Sequence, residues 1–135
     1  MKFFRKAKDG GPKSTVTGYW LLEIKSLFSI VLLRFDNGSR SAYHSHAFNS
    51  LNWVLRGQVY EEHLLRWPTR LIQYRPSFRP VLTWRGTFHR VVSNGTTWVL
   101  SLRGPWAKTW REYDPDKKTF TTLTHGRRQV SHASQ

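Results

Sequence analysis

An all-β sandwich or barrel is the fold class this sequence predicts, on three observations. Short runs rich in Val, Ile, Thr and aromatic residues recur about every ten residues along most of the chain. Gly, Pro and Asn separate them at turn-forming positions. No long amphipathic stretch of helical period competes over most of the chain, and no repeat at solenoid or propeller periods is present.

Taken in order, residues 1–15 are basic, contain Gly10-Gly11-Pro12, and read as a mobile arm. Residues 15–35 are densely apolar with a break at Ser26, which divides them into two strands; helix is the competing reading for L-L-E-I-K-S-L-F-S-I-V-L-L, because short apolar runs do not settle the period. Asp36-Asn37-Gly38-Ser39 is a strong turn signal, since Asn and Gly tolerate positive φ. It delivers the chain into an extended segment holding His44-Ser45-His46. A strand over 51–55 ends in a tight hairpin at Arg56-Gly57-Gln58 and returns over 59–65. Trp67-Pro68-Thr69 breaks it, 71–74 is a further short strand, and Pro76 and Pro80 bracket the next turn. Strands are then predicted over 81–84, 88–92, 97–102, 109–113 and 119–123, with Asn94-Gly95 as the hairpin between the second and third of these. Residues 125–135 are polar and read as loose. The chain is thus one β domain, 16–124, between an arm and a tail.

Length and composition agree. A chain of 135 residues is one domain by size and long enough to bury a substantial core. At 39% hydrophobic and 15% aromatic it is not disordered. The lack of Cys excludes disulfides and thiolate metal sites. No apolar run approaches the ~20 residues needed to cross a bilayer, and the basic start lacks the apolar segment of a signal peptide. A cytoplasmic protein with no membrane partner is the expectation. The charge is the odd feature: 22 Lys+Arg against 8 Asp+Glu give a net +14 and a pI near 11.0. Such a field attracts polyanions, nucleic acid above all, or recruits a small anionic substrate. No run of it resembles a basic recognition helix.

The chemistry concentrates in the histidines. In an extended segment, side chains two apart share a face, so His44 and His46 project together. His89 lies in a second apolar run. If it meets the pair, the three make a metal site with positions left for water and substrate; the bland alternatives are a polar pair on a solvated face and a hydrogen-bonded core histidine. Arg40 shares strand parity with the pair and is a candidate to receive a substrate carboxylate. Glu61 and Glu62, adjacent on a strand, point opposite ways and are not a carboxylate pair.

Gly38, His44, His46 and Gly57 are spaced as in the first motif of the cupin superfamily, G-x5-H-x-H-x3,4-E-x6-G. Gly86, His89 and Asn94 resemble the second, G-x5-P-x-G-x2-H-x3-N. Ser50 stands at the glutamate of the first motif; Phe78 and Trp84 replace the leading Gly and the Pro of the second, and Ser93 occupies its Asn position. The matched region with its flanking strands covers most of residues 18–114. The resemblance implies a double-stranded β-helix, a cupin-like jelly-roll barrel with a metal inside. An all-histidine set is similar to the three-histidine cupins, among them thiol dioxygenases such as cysteine dioxygenase.

Three neutral imidazoles leave a divalent ion cationic, which favours an anionic or chelating small-molecule substrate. The resemblance makes Fe2+ the first choice and a dioxygenase the first reading; Zn2+ would instead activate water, and Mn2+ and Ni2+ are further alternatives. Arg40, Ser50 and Tyr60 are the candidate catalytic residues, with Asn52 facing the same cavity and His63 and Arg103 as outlying candidates. The resemblance also implies a homodimer. Two other functions remain open: a metal-free cupin that binds or isomerises a small ligand such as a sugar derivative, and a basic nucleic-acid-associated barrel.

Overall fold

Alternation builds the central strands. Ser29, Val31 and Leu33 are buried along one strand, and Thr97, Val99, Ser101 and Arg103 along another, with more exposed residues between them. The two strands pair antiparallel with Val99 opposite Leu33, Ser101 opposite Val31 and Arg103 opposite Ser29, so that the buried sets form one continuous face.

A computed structural model describes residues 1–11, 14–38, 43–63, 70–124 and 129–134. They form thirteen strands: β1 Lys2–Lys8, β2 Val16–Ile24, β3 Phe28–Phe35, β4 Tyr43–His44, β5 Ser50–Arg56, β6 Val59–His63, β7 Arg70–Tyr74, β8 Val81–Thr83, β9 His89–Ser93, β10 Thr97–Arg103, β11 Trp110–Asp114, β12 Thr119–Leu123 and β13 Gln129–Ser134. One sheet has the order β1-β2-β3-β10-β5-β8 and the other β13-β12-β11-β4-β9-β6-β7. All pairings are antiparallel. The helical alternative for 21–33 is not adopted: β2 and β3 form a hairpin whose turn is closed by the Leu27 amide on the Ile24 carbonyl, 2.9 Å. Among the described residues no helix is long and apolar enough to cross a membrane.

The core lies between the sheets, with Trp20, Val31, Leu33, Val54, Val59 and Val99 buried together. Each such side chain contributes about 2 kcal/mol on burial. Gly18 lets Trp20 lie down along its own strand, since a Cβ at position 18 would sit 2.4 Å from the indole ring.

Two segments read as loose are strands. β1 pairs with β2 along its length. Arg5 turns inward to Glu23, Nη2 to Oε2 at 3.0 Å, with its guanidinium carbon 4.0 Å from the centroid of Trp20. A run of positive charges hides this in the sequence, because the acid and the aromatic surface that receive Arg5 belong to another strand. At the other end β13 pairs with β12. Residues 64–69, the end of the strand over 59–65 and its Pro68 break, lie outside the described residues, as do 125–128 and 135 of the tail.

The hairpin at Gly57 is built without tolerance. Its φ is +83°, and a Cβ there would lie 2.6 Å from the Thr96 carbonyl oxygen and 2.6 Å from the Thr97 hydroxyl. That hydroxyl donates to the Gln58 carbonyl (2.9 Å) and accepts from the Gln58 amide (3.1 Å), locking the β5–β6 turn to β10. Gly57→Ala is therefore expected to lower stability by about 2 kcal/mol, measured as a loss in urea midpoint, whereas Gly95→Ala, with a similar φ of +82° but nothing within 4 Å, costs less.

Candidate metal centre

The two sheets enclose a cavity of about 450 Å³, and the three histidines line it. β4 is only two residues long and lies between β11 and β9, with His44 opposite Glu112 on one side and opposite His89 on the other. Beyond it the chain stays extended. The Ser45 amide donates to the Arg111 carbonyl (2.8 Å), the Ser45 hydroxyl accepts from the Arg111 amide (3.0 Å), and the His46 amide donates to the Arg85 carbonyl (3.0 Å). Ser45 is thus tied to β11, and the residues on either side of it turn the other way. Both histidines enter the cavity.

The rings meet His89 there. Centroid separations are 4.8 Å for His44 and His46, 4.9 Å for His44 and His89, and 4.9 Å for His46 and His89. One nitrogen from each lies within 4.8 Å of the others, and Nε2 of His46 is 2.7 Å from Nε2 of His89. Burial pushes the His46 imidazole well below its ordinary pKa of 6.5, and the charges of His44, His89 and Arg103 push the same way. A ring so placed is neutral and has a lone pair to offer, which is the form that binds metal.

Glu61 completes the arrangement from behind. Its carboxylate is bonded to Nδ1 of His89, with Nε2 of His63 3.9 Å from its second oxygen. Burial alone would raise the Glu61 pKa, but the hydrogen bond and charge of His89, with Tyr74 and His63, outweigh it and hold the carboxyl below its ordinary range. An ionised Glu61 fixes the proton of His89 on Nδ1 and turns Nε2 toward the cavity, the orientation that a carboxylate behind a metal-binding histidine enforces. Glu62 points the other way, accepting from Tyr43 at 3.0 Å and from Arg90 Nε at 3.1 Å.

Of the other candidates, Ser50 and Asn52 do face the cavity. Asn52 Nδ2 donates to the Ser50 hydroxyl (3.0 Å) and to that of Thr83 (3.2 Å), a polar strip along β5 and β8. Arg103 is buried in the cavity wall, its Nη2 2.7 Å from Asp9 Oδ2. Tyr60 is not part of the cavity: Val59 and Glu61 are the inward residues of β6, so Tyr60 faces outward, where its hydroxyl accepts from Gln73 Nε2 at 3.1 Å. Arg40 lies outside the described residues. Sequence reasoning missed Glu61, although its parity with Val59 after the Gly57 turn carries the signal. It also missed Asp9, for which no local signal exists.

No protein-family model matches the sequence, and no curated protein matches it. Solved structures do resemble it. HppE in its FeII form superposes with a TM-score of 0.56 at 14% identity over 73% of this chain and 55% of its own, so this chain spans little more than half the length of HppE. KdgF from Halomonas sp. has a TM-score of 0.55 at 17% identity, covering 77% of this chain and 94% of its own. A sugar phosphate isomerase of the cupin superfamily from Silicibacter pomeroyi covers 98% of this chain and 88% of its own, with a TM-score of 0.55 at 12% identity. Identities this low establish shared architecture and leave activity to the site itself. The antiparallel strand order found here and the likeness to these structures lead to one conclusion: this chain has the cupin fold, a double-stranded β-helix with three histidines gathered inside it.

Proposed function

We propose that the protein holds a divalent metal ion, Fe2+, on His44, His46 and His89 and acts as a non-haem dioxygenase on a small polar or anionic molecule. The observation that carries this reading is the convergence of three imidazole nitrogens within 4.8 Å, one of them backed by a buried carboxylate. Three imidazole nitrogen donors with no carboxylate among them suit a borderline ion that retains open positions. Fe2+ is preferred because HppE, one of the structures of this architecture, is described in its FeII form; Zn2+, Mn2+ and Ni2+ fit the same donors. Bound there, Fe2+ would supply the capacity to bind and reduce O2.

The chain's own residues supply the rest. Glu61 orients His89 and keeps its Nδ1 protonated. Phe48, 5.3 Å from His46 and 5.3 Å from Trp106 between ring centroids, screens the His46 side of the cavity from water. Ser50, Asn52 and Thr83 offer hydroxyl and amide groups to a polar substrate. A second reading is isomerisation of a sugar derivative without O2. It is favoured by the same polar strip and by the likeness to a sugar phosphate isomerase over nearly the whole chain.

Elemental analysis of protein purified without added metal is expected to find about one equivalent of iron, with loss in His44→Ala and in His89→Ala while circular dichroism stays β. A wild-type preparation free of every transition metal, and unable to bind added Fe2+, would overturn the proposal. Glu61→Gln keeps the hydrogen bond but not the charge, and is expected to weaken Fe2+ binding by about 10–100-fold. O2 uptake separates the two readings, since isomerisation consumes none.

A pH dependence follows from His46. Its folded pKa lies below the unfolded value, so its contribution is fully present above 6.5 and is lost as pH falls through that value toward the folded pKa. Urea stability of the metal-free protein is expected to fall below that pH, and to fall less steeply in His46→Gln.

A further inference from the structure

Away from the histidines, the part of the cavity lined by β1, β2 and β10 gathers buried donors with nothing to donate to. The indole Nε1 of Trp20, Nε of Arg5 and Nε of Arg103 each lack a hydrogen-bond partner among the described residues, and all three side chains line the cavity. Trp20 is 4% exposed and Arg103 3%, so bulk water does not serve them. Stacking brings them together: the guanidinium carbons of Arg5 and Arg103 lie 4.0 Å and 5.8 Å from the centroid of the Trp20 ring. Ser29, opposite Arg103 on β3, adds a fully buried hydroxyl that is likewise unpartnered.

Buried donors without acceptors call for a ligand rich in lone pairs. Charge decides which kind. Arg5, Lys8, Lys25 and Arg103 stand around this part of the cavity, against the carboxylates of Asp9 and Glu23. The excess is positive, and the whole chain carries +14. Phe48 links this end to the histidines, its ring centroid 4.6 Å from the Arg103 guanidinium carbon and 5.3 Å from that of His46. One small molecule fits across a cavity of about 450 Å³.

We propose that this part of the cavity is an oxyanion subsite, in which Trp20, Arg5 and Arg103 donate to a carboxylate or phosphate of a substrate whose other end reaches the three histidines. Its role as a substrate anchor rests on the metal-centred reading above; the subsite itself does not. Asp9 competes for Arg103 and gates the site electrostatically.

The test uses metal-free full-length protein titrated with inorganic phosphate and, separately, with acetate. The indole N–H resonance of Trp20, identified by its disappearance in Trp20→Phe, is expected to shift saturably with at least one of the two, and the better binder names the oxyanion. By calorimetry, Arg103→Gln weakens that binding at least about tenfold, the scale of one charge-assisted hydrogen bond. Trp20→Phe, which keeps the ring, weakens it too. Asp9→Asn strengthens it, a gain that damage to the fold does not produce. A dispersed spectrum in which the Trp20 resonance ignores both anions, or an Asp9→Asn variant that binds no better than wild type, overturns the proposal. Uptake of added Fe2+ is measured on the same preparations: anion binding in a protein unable to take up metal upholds the subsite and overturns the metal-centred reading, and metal uptake with no anion response does the reverse.

Discussion

His44 lies directly across from His89 in the antiparallel pairing of β4 with β9, and the interior depends on that register. A slip of one residue in either strand would exchange its inward and outward side chains. β4 is too short to hold its register alone, with two residues in the sheet. The constraint comes from outside it. Ser45 is bonded through both its amide and its hydroxyl to Arg111 on the far side, and Gly38 exchanges both backbone hydrogen bonds with Ser93 at the other end of β9, 2.9 and 3.1 Å. The Ser45 bonds thus hold the backbone between the two histidines, and both rings line the cavity.

Much of this was legible beforehand because it is local. Asn94-Gly95 and the Gly57 turn punctuate the chain where the backbone needs positive φ, and the β-branched runs between them alternate with period two. The convergence of His44, His46 and His89 was legible for the same reason, since parity on two strands and a motif spacing suffice to anticipate it. Tyr60 was misplaced by setting motif context above that parity rule. Applied from Val59, the rule sends Glu61 inward and Tyr60 out. Contacts that close only in three dimensions left no trace. Asp9 and Arg103 are 94 positions apart, and nothing near either in the sequence marks their contact. The basic N-terminal run reads as a solvated arm until Glu23 and Trp20 are known to stand beside it.

The absence of a glutamate at position 50 has a structural counterpart. The Ser50 hydroxyl is taken into the Asn52 and Thr83 cluster, and the carboxylate nearest the histidines belongs to Glu61, which sits behind His89. The difference matters electrostatically. A carboxylate bound directly to a divalent ion cancels part of its charge; one placed a ring away stiffens a ligand and leaves the open side of the ion positive. On the proposed reading, an anionic group of a substrate would be favoured at that open side.

The same logic runs through the rest of the cavity. Arg103 is buried and donates to the Asp9 carboxylate through both Nη atoms, yet among the described residues neither its Nε nor the Trp20 indole N–H has a partner. An ion pair with its arginine buried and one donor unused adds little stability, because desolvation cancels much of the attraction. Its place in the wall of a cavity that three histidines also line fits the proposed oxyanion subsite. On the proposed readings, a cation on the histidines and guanidinium groups around Trp20 would favour a molecule with an acceptor at each end, and a net charge of +14 on the chain would help to attract it.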